Sequence, residues 1–296
     1  MVMDIPSSTR YIHASTGGTS ISKGTDDEHE PGILVVSEAE GQTYTLANGT
    51  HAFAVEPYTP GQIRFQLLGG VINGAVVLGG LAWIAATWSD QPPSWPWVLL
   101  AVLAGIYTAD LGSGLLHWAF DTWFDENNAF LRRMVLQVRE HHIYPNRIFH
   151  TRFLNEAGTL SWFAMLPTAP ITLWAVFFSS GPAAAYTVLS AVIFDVLLAC
   201  MLASHKCGHR IRQPLWIRLL QKSGILLSVH HHSQHHLGNH DYNYCIVNGW
   251  ADRTLGRLGF FRGLEWMISR LTGAKPQRND HEWQRRFGRK VVGRQA

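Results

Sequence analysis

The residues in this chain best suited to chemistry are its histidines, and twelve of the sixteen lie between His117 and His240. Neutral imidazole is a common ligand of catalytic metals, so this concentration predicts a metal site. Several histidines are four residues apart, which places both members of a pair on one face of a helix. These pairs, each a candidate metal clamp, are His205 with His209, His231 with His235, and His232 with His236.

Nine histidines have the best spacing for metal binding and catalysis: His117, His141, His142, His205, His209, His231, His232, His235 and His236. One tetrahedral zinc needs three or four ligands, so nine candidates favour two ions. Two iron ions suit this supply, because imidazole-bound iron can activate O2 for attack on an unactivated C–H bond. Adjacent histidines on a helix point about 100° apart, so His141 and His142 can serve different ions, or one can be structural. The chain contains neither the HExxH motif of zinc proteases nor a CxxC pair.

Three acidic residues near these histidines are candidates for orienting them through hydrogen bonds. Asp110 and Asp121 share a polar helical stripe with His117, and Glu140 directly precedes His141. Ionisable groups inside a membrane helix are expensive, and they indicate function unless they pair with one another. The alternative is an Asp–His hydrogen bond that only packs helices. We expect Asp110, Asp121 and Glu140 to support metal-binding histidines.

Four segments are long and apolar enough to cross a bilayer, which takes about 20 helical residues. They are residues 66–88, 97–119, 159–178 and 183–203. Only 15% of the residues are charged, and twelve are tryptophans, as in a membrane protein with soluble flanks. The predicted fold class is all-α, an integral membrane four-helix transmembrane bundle with a histidine-rich helical cap.

The arginines and lysines predict the orientation of this bundle. The short connections 89–96 and 179–182 carry none, whereas the loop 120–158 carries five arginines. Sixteen of the 24 basic residues lie from Lys206 onward. By the positive-inside rule, both termini and the histidine-rich cap are expected to be cytoplasmic.

The membrane domain with its four spans is expected to cover residues 61–275. Residues 1–60 are polar and lack the basic and apolar regions of a secretory signal, so we expect a disordered extension. Residues 276–296 form a basic tail. The segments Pro214–Val229 and Arg253–Gly273 mix apolar and basic residues, which predicts amphipathic helices at the membrane surface.

Three basic residues beside the histidines are candidates for binding a lipid phosphate: Arg139, Lys206 and Lys222. Metal ligands at the ends of membrane helices would let a lipid chain reach the metal while its phosphate stays at the interface. Guanidinium and ammonium groups stabilise phosphate oxygens there. The alternative is that these charges only orient the protein in the membrane. No nucleic acid partner is expected.

Four motifs in this order resemble the signature of the plasmanylethanolamine desaturase family. They are residues 110–123, 139–145, 205–209 and 231–236, and the likeness extends over about Gly105–Trp283. The resemblance implies a four-span membrane desaturase with a histidine-bound di-iron centre. It also implies that O2 is a co-substrate, that cytochrome b5 or ferredoxin delivers the electrons, and that the substrate is an intact phospholipid in the bilayer.

The resemblance covers two branches of this family. One branch introduces a vinyl ether double bond into the alkyl chain of plasmanyl phospholipids, and a plant branch introduces a trans double bond at carbon 3 of an acyl chain. Arg139–His142 and the doubled His231–His232 resemble the ether-lipid branch, whereas Asn243–Val247 is closer to the plant branch. We therefore expect a plasmalogen-forming desaturase, with acyl-chain desaturation as the alternative.

Two other classes of function fit a histidine-rich membrane protein. A membrane zinc hydrolase predicts a hydrolytic carboxylate and activity without O2. A non-enzymatic metal-binding or transport protein predicts ligands along a path across several spans. The expected location of all paired histidines on one side of the membrane favours the oxygen-dependent enzyme.

Overall fold

The computed structural model describes residues 58–277, apart from 126, 129–130, 144, 180 and 238–239. Within this part of the chain, the regular secondary structure is entirely helical, in agreement with the predicted fold class. Most of the predicted extension, residues 1–60, and most of the basic tail, residues 276–296, lie outside the described residues.

The α-helices of the described residues are α1 (Pro60–Asp90), α2 (Trp95–Thr122), α3 (Arg132–Ile143), α4 (Phe153–Phe178), α5 (Pro182–Ala199), α6 (Met201–His209), α7 (Leu215–Lys222), α8 (Val229–Leu237) and α9 (Phe260–Thr272). A short 3-10 helix follows α3 at Pro145–His150, and a π-helical turn precedes α9 at Asp252–Gly256.

The helices α1, α2, α4 and α5 are long and apolar enough to cross a membrane, which confirms the predicted number of spans. The third span begins at Phe153, six residues earlier than predicted. The predicted fourth span, 183–203, was too long, because α5 ends at Ala199 and Met201 already belongs to α6. Cys200 separates the two helices, since its backbone leaves the helical region (φ −100°, ψ 7°).

The first membrane helix begins at Pro60, before the apolar run that was predicted from residue 66, because polar residues cap its start. The Thr59 hydroxyl accepts a hydrogen bond from the backbone N–H of Gln62, and the Gln62 side chain accepts one from the N–H of Thr59. This reciprocal arrangement satisfies two donors that a helix start otherwise leaves unpaired. Pro60 follows as the first helical residue, where its missing N–H has no consequence.

Small residues allow the membrane helices to approach closely. Helix α5 packs against α1, α2 and α4, and α1 also packs along α4. A Cβ atom added to Gly158 of α4 would lie 2.4 Å from the carbonyl oxygen of Gln66 in α1. Likewise, a Cβ atom on Gly105 of α2 would lie 2.7 Å from the carbonyl oxygen of Ser190 in α5. Hydrocarbon tails are as apolar as the side chains, so such close packing is what holds helices together in lipid.

Hydrogen bonds between side chains also connect the membrane helices. The Thr168 hydroxyl of α4 donates to the Asp195 carboxylate of α5 at 2.5 Å. The Asn73 amide of α1 donates to the Ser161 hydroxyl of α4 at 3.3 Å. Because water cannot satisfy polar groups in the hydrocarbon region, these bonds fix how the helices are rotated against one another.

The shorter helices connect to the ends of the membrane helices, and they carry most of the candidate histidines. Helix α6 follows α5 after one residue and packs against α8. Helices α7 and α9 expose apolar side chains, among them Trp216 and Trp266. They correspond to the two predicted amphipathic segments, although each helix is shorter than its predicted range.

The contact at Gly158 gives a test of the helix packing. Gly158→Ala should destabilise the protein by about 1–3 kcal/mol, because the added methyl group overlaps the α1 backbone. Gly74→Ala is the matched control, since no atom lies within 4 Å of a Cβ added there. Thermal unfolding in one detergent should show a lower Tm only for Gly158→Ala, and equal Tm values would contradict the packing described above.

Candidate metal centre

The candidate histidines approach one another at one end of the membrane bundle. They come from four helices, with His117 on α2, His141 and His142 on α3, His205 and His209 on α6, and His231, His232, His235 and His236 on α8. Eight of these nine histidines lie in two neighbouring groups of potential metal ligands. The ninth, His231, lies outside both groups.

The first group contains five histidines: His141, His205, His209, His232 and His236. One nitrogen of each ring lies within 4.8 Å of the corresponding nitrogens of the others. The Nε2 atom of His232 is central, at 2.7 Å from Nε2 of His209 and 2.8 Å from Nε2 of His205. The Nε2 atom of His236 lies 3.1 Å from that of His232.

These separations fit a single cation. A metal–nitrogen bond of about 2.1 Å places adjacent ligands of an octahedral ion about 3 Å apart. The Nε2 atoms of His205 and His209 are 3.2 Å apart and lie one turn apart on α6. The spacing that the HxxxH pattern predicts for a metal clamp is therefore present.

Burial keeps the imidazoles outside the membrane helices neutral. Burial, with a smaller contribution from repulsion by His117, lowers the pKa of His209 to about 3. Burial, followed by repulsion from neighbouring imidazoles, holds the pKa of six others well below 6.5: His141, His142, His205, His232, His235 and His236. Neutral imidazole is the form that binds metal.

The second group contains three histidines and a carboxylate: His117, Asp121, His142 and His235. The Asp121 carboxylate oxygens lie 3.5 Å from Nε2 of His117, 3.5 Å from Nε2 of His142 and 3.6 Å from Nε2 of His235. All four side chains are buried. Mixed imidazole and carboxylate ligands are suited to iron and to zinc.

Backbone carbonyls set the direction of two rings in the second group. Nδ1 of His117 donates to the carbonyl oxygen of Tyr244 at 2.9 Å, and Nδ1 of His235 donates to that of Tyr242 at 2.7 Å. A carbonyl oxygen only accepts, so the proton is on Nδ1 in both rings. The lone pair on Nε2 then remains available to a metal, as in many histidine metal sites.

The two groups adjoin. The ring centroids of His117 and His205 are 5.6 Å apart, and those of His235 and His236 are 5.3 Å apart. In each pair one ring belongs to the first group and the other to the second. The residues therefore form two neighbouring groups, each of which could hold a metal ion.

The polar stripe on α2 holds the segment that follows α8. The Asp110 carboxylate accepts hydrogen bonds from the backbone N–H groups of Asn248, Gly249 and Ala251 at 2.8–2.9 Å. One helical turn further on, the Ser113 hydroxyl accepts from the N–H of Ile246 at 3.0 Å. Asp110 thus supports the site through the backbone of residues 246–251 rather than through a bond to His117.

The other two acidic candidates lie closer to the ligands. Asp121 stands among the potential ligands of the second group, where the sequence predicted a supporting role. Glu140 is fully buried on α3, directly before His141.

His231 has a different environment from its neighbour His232. Its Nε2 atom donates to the Asp252 carboxylate at 3.0 Å, and the same carboxylate oxygen accepts from the N–H of Cys245. A Cβ atom on Gly249 would lie 2.7 Å from Nε2 of His231, so only glycine fits against this ring. The structure therefore places His231 as a link between α8 and residues 245–252.

Two of the three candidate phosphate ligands are engaged inside the protein. Arg139 is buried and donates to the side chain of Gln277 at 2.8 Å. Lys206 donates to the Glu156 carboxylate at 2.9 Å and also to the carbonyl oxygen of Thr151. Lys222 is exposed at the end of α7.

One buried histidine at the centre was not among the predicted site residues. The ring of His240 stacks on that of His142, with centroids 4.0 Å apart and an angle of 6° between the planes. His240 follows His236 by four residues, which is the spacing of the other pairs. That spacing was ambiguous because α8 ends at Leu237, so His236 and His240 are not one turn apart on the same helix.

Removing a ring from the first group tests its capacity to bind metal. His205→Ala and His232→Ala should each lower metal affinity by more than the 10- to 100-fold typical for loss of a supporting residue. His230→Ala is the control, since that side chain is exposed on α8. Metal content per chain, measured by mass spectrometry, should fall only in the first two variants. Full metal content in both would remove this group as a metal site.

The depressed pKa values predict how the protein responds to acid. Above pH 6.5 the imidazoles are neutral in the folded and unfolded chains alike, so their full contribution to stability is present. As the pH falls below 6.5 towards the folded values, the unfolded chain takes up protons that the folded chain does not, and stability is lost. Thermal unfolding from pH 8 to pH 4.5 should show a steady decline below about pH 6.5, together with metal release. A constant Tm over this range would contradict the neutral buried state.

Comparisons with known proteins agree with this geometry. A family profile described as a lipid desaturase domain matches residues 106–279. The chain is 31% identical over 257 residues to plasmanylethanolamine desaturase 1 of Mus musculus, covering 83% of this chain and 91% of the relative. It is 32% identical to the plasmanylethanolamine desaturase of Myxococcus xanthus, covering 64% of this chain and 67% of that protein.

A plant protein is similar over a shorter region, and the solved structures offer no match. Fatty acid desaturase 4, a chloroplastic protein of Arabidopsis thaliana, is 28% identical over 178 residues, 60% of this chain and 54% of the relative. No solved structure matches the chain. The chain belongs to the lipid desaturase family that includes the plasmanylethanolamine desaturases and the plant fatty acid desaturase 4 proteins, and it is a membrane oxidoreductase of lipid metabolism.

Proposed function

We propose that this protein is an oxygen-dependent di-iron desaturase that introduces the vinyl ether double bond into the alkyl chain of plasmanyl phospholipids, giving plasmalogens. The observation that carries the proposal is the pair of adjoining ligand groups, five imidazoles beside three imidazoles and one carboxylate, at the ends of membrane helices. A single four-coordinate zinc ion would leave at least five of these nine ligands unused.

The donor set suits two iron ions. When bound, two irons and O2 supply the oxidising power needed to remove hydrogen from an unactivated C–H bond, which acid–base groups alone cannot supply. The overall reaction removes one hydrogen from each of two neighbouring CH2 groups to give CH=CH, and O2 takes up these two hydrogens together with two electrons from a donor and two protons to give two waters. Cytochrome b5 or ferredoxin is the proposed electron donor.

The protein's own residues hold and shield this chemistry. The carbonyl oxygens of Tyr244 and Tyr242 fix which nitrogen of His117 and His235 faces the metal. The side chains of both groups are buried except for that of His236, which is half-buried, so little bulk water would reach a bound metal. We propose the eight clustered histidines and Asp121 as the metal ligands, and Asp110, Glu140 and His231 as residues that position them.

The proposed orientation places the metal centre and both termini in the cytoplasm. It is supported by the positive-inside pattern, because basic residues concentrate in the loop before α4 and after Lys206. Exposed Trp216 and Trp266 on α7 and α9 suit helices that lie in the membrane interface on the same side. A phospholipid would then place its phosphate at the interface, within reach of basic side chains such as exposed Lys222.

The alkyl chain is preferred as substrate because a relative matched over 83% of this chain is a plasmanylethanolamine desaturase. A second candidate is desaturation of an acyl chain in an intact phospholipid. It is favoured by the likeness of Asn243–Val247 to the plant branch and by the match to fatty acid desaturase 4. The two reactions share the metal centre and differ in the bond that it oxidises.

The reaction is tested by expressing the chain in a host that lacks this activity and is supplied with plasmanyl lipids. We expect acid treatment of the extracted lipids to release fatty aldehyde, which forms from vinyl ethers. The His205→Ala variant should release none and serves as the matched control. A new acyl double bond without aldehyde would replace the proposal by the second candidate.

Metal analysis and removal of O2 test the centre itself. We expect about two irons per chain in protein purified without added metal, and no product under anaerobic conditions. A single zinc per chain with activity in the absence of O2 would instead indicate a hydrolase.

A further inference from the structure

The turn from His240 to Asn243 follows α8 and lies against the second ligand group. His240 and Asn243 both have left-handed backbone conformations, with φ of 55° and 56°. Residues other than glycine seldom adopt this region, and they keep it only where surrounding contacts impose it.

The first contact is the parallel stack of His240 on His142. The ring centroids are 4.0 Å apart, the ring planes are nearly parallel, and His240 is only 5% exposed. The lone pair of an imidazole nitrogen lies in the plane of its ring. If His142 rotated about its Cβ–Cγ bond, an edge of its ring would collide with His240. The stack thus fixes the plane in which His142 can offer Nε2 to a metal.

The second contact acts on His235. The Tyr242 carbonyl, two residues after His240, accepts the hydrogen bond from Nδ1 of His235 at 2.7 Å. One short turn therefore holds two of the four side chains in the second group. The same turn also approaches the first group, because the ring centroid of His240 lies 5.6 Å from that of His236.

The turn itself is held by hydrogen bonds at two of its residues, Asn243 and Asp241. The Asn243 amide donates to the carbonyl oxygen of His231 at 3.2 Å and to the Gln234 side chain at 3.1 Å, both on α8. Arg262 of α9 donates to the carbonyl oxygen of Asp241 at 2.8 Å and also to its carboxylate. These bonds hold the left-handed residues in place, and they connect the turn to α8 and to α9.

We propose that the His240–Asn243 turn positions the second metal, with His240 acting as a positioning residue that stacks on His142 rather than as a ligand. The inference rests on the proposed two-metal centre. It predicts that the second ion, held by His117, Asp121, His142 and His235, depends on a flat ring at position 240 and does not depend on a nitrogen atom there.

The test compares three variants of the full chain in detergent. His240→Phe keeps a flat ring on an unbranched Cβ but has no nitrogen, and His240→Ala removes the ring. His230→Ala, on the exposed face of α8, is the control. Iron per chain is measured by mass spectrometry. Cobalt(II) titration, followed by visible absorption, reports the affinity and coordination of each site separately.

We expect His240→Phe and His230→Ala to bind two metals per chain with unchanged cobalt spectra. His240→Ala should keep one metal and lose affinity for the other by about 10- to 100-fold, as for other residues that orient ligands. Retention of the first metal shows that His240→Ala is still folded. Fatty aldehyde release should follow occupancy of the second site.

Three results would overturn the inference. Equal loss of the second metal in His240→Phe and His240→Ala would mean that the imidazole nitrogen is a ligand. Two tightly bound metals in His240→Ala would mean that the stack has no role. Loss of both metals in His240→Ala would mean that the turn supports the whole fold. A wild-type chain that binds fewer than two metals would contradict the proposed function instead.

Discussion

The arrangement of the centre depends on one buried carboxylate and the backbone that it binds. Asp110 accepts three N–H groups from residues 248–251, and Ser113 accepts a fourth from Ile246. Carboxylates accept stronger hydrogen bonds than neutral groups do, and here the bonds form away from water. The segment that they hold carries the carbonyl that orients His117 and, in Asp252, the partner of His231. One residue in a membrane helix therefore fixes a segment more than 130 positions later in the chain.

Some helices supply potential ligands to one group only, and others supply both groups. Helix α6 supplies only the first group, and α2 supplies only the second. Helices α3 and α8 supply both, because His141 and His142, like His235 and His236, are adjacent residues that point in different directions. Any displacement of α3 or α8 therefore changes both groups together. The geometry of one group is therefore coupled to that of the other through these two helices.

The features that could be predicted from the sequence are those that depend on residue spacing along one segment of the chain. Four membrane helices, the HxxxH pair of α6 and a metal site at one end of the bundle all follow from apolar runs and four-residue spacings. Sequence could not separate His231 from His232, because the difference lies in Asp252 and Gly249, which contact His231 only in the folded chain. His240 was missed for a related reason, since its four-residue spacing from His236 does not reveal that its ring stacks on His142 in the folded chain. The break at Cys200 also has no glycine or proline to mark it.

The direct connection between α5 and α6 has a consequence for the surroundings of the protein. Helix α5 has 18 residues and is about 27 Å long, slightly less than the roughly 30 Å hydrocarbon core of a typical bilayer. A span that is too short thins the surrounding bilayer or changes its packing, and the response varies with membrane thickness. Since α6 follows after Cys200 alone, any tilt of α5 reaches His205 and His209 directly. We therefore expect the thickness of the surrounding bilayer to affect the positions of His205 and His209 in the first group.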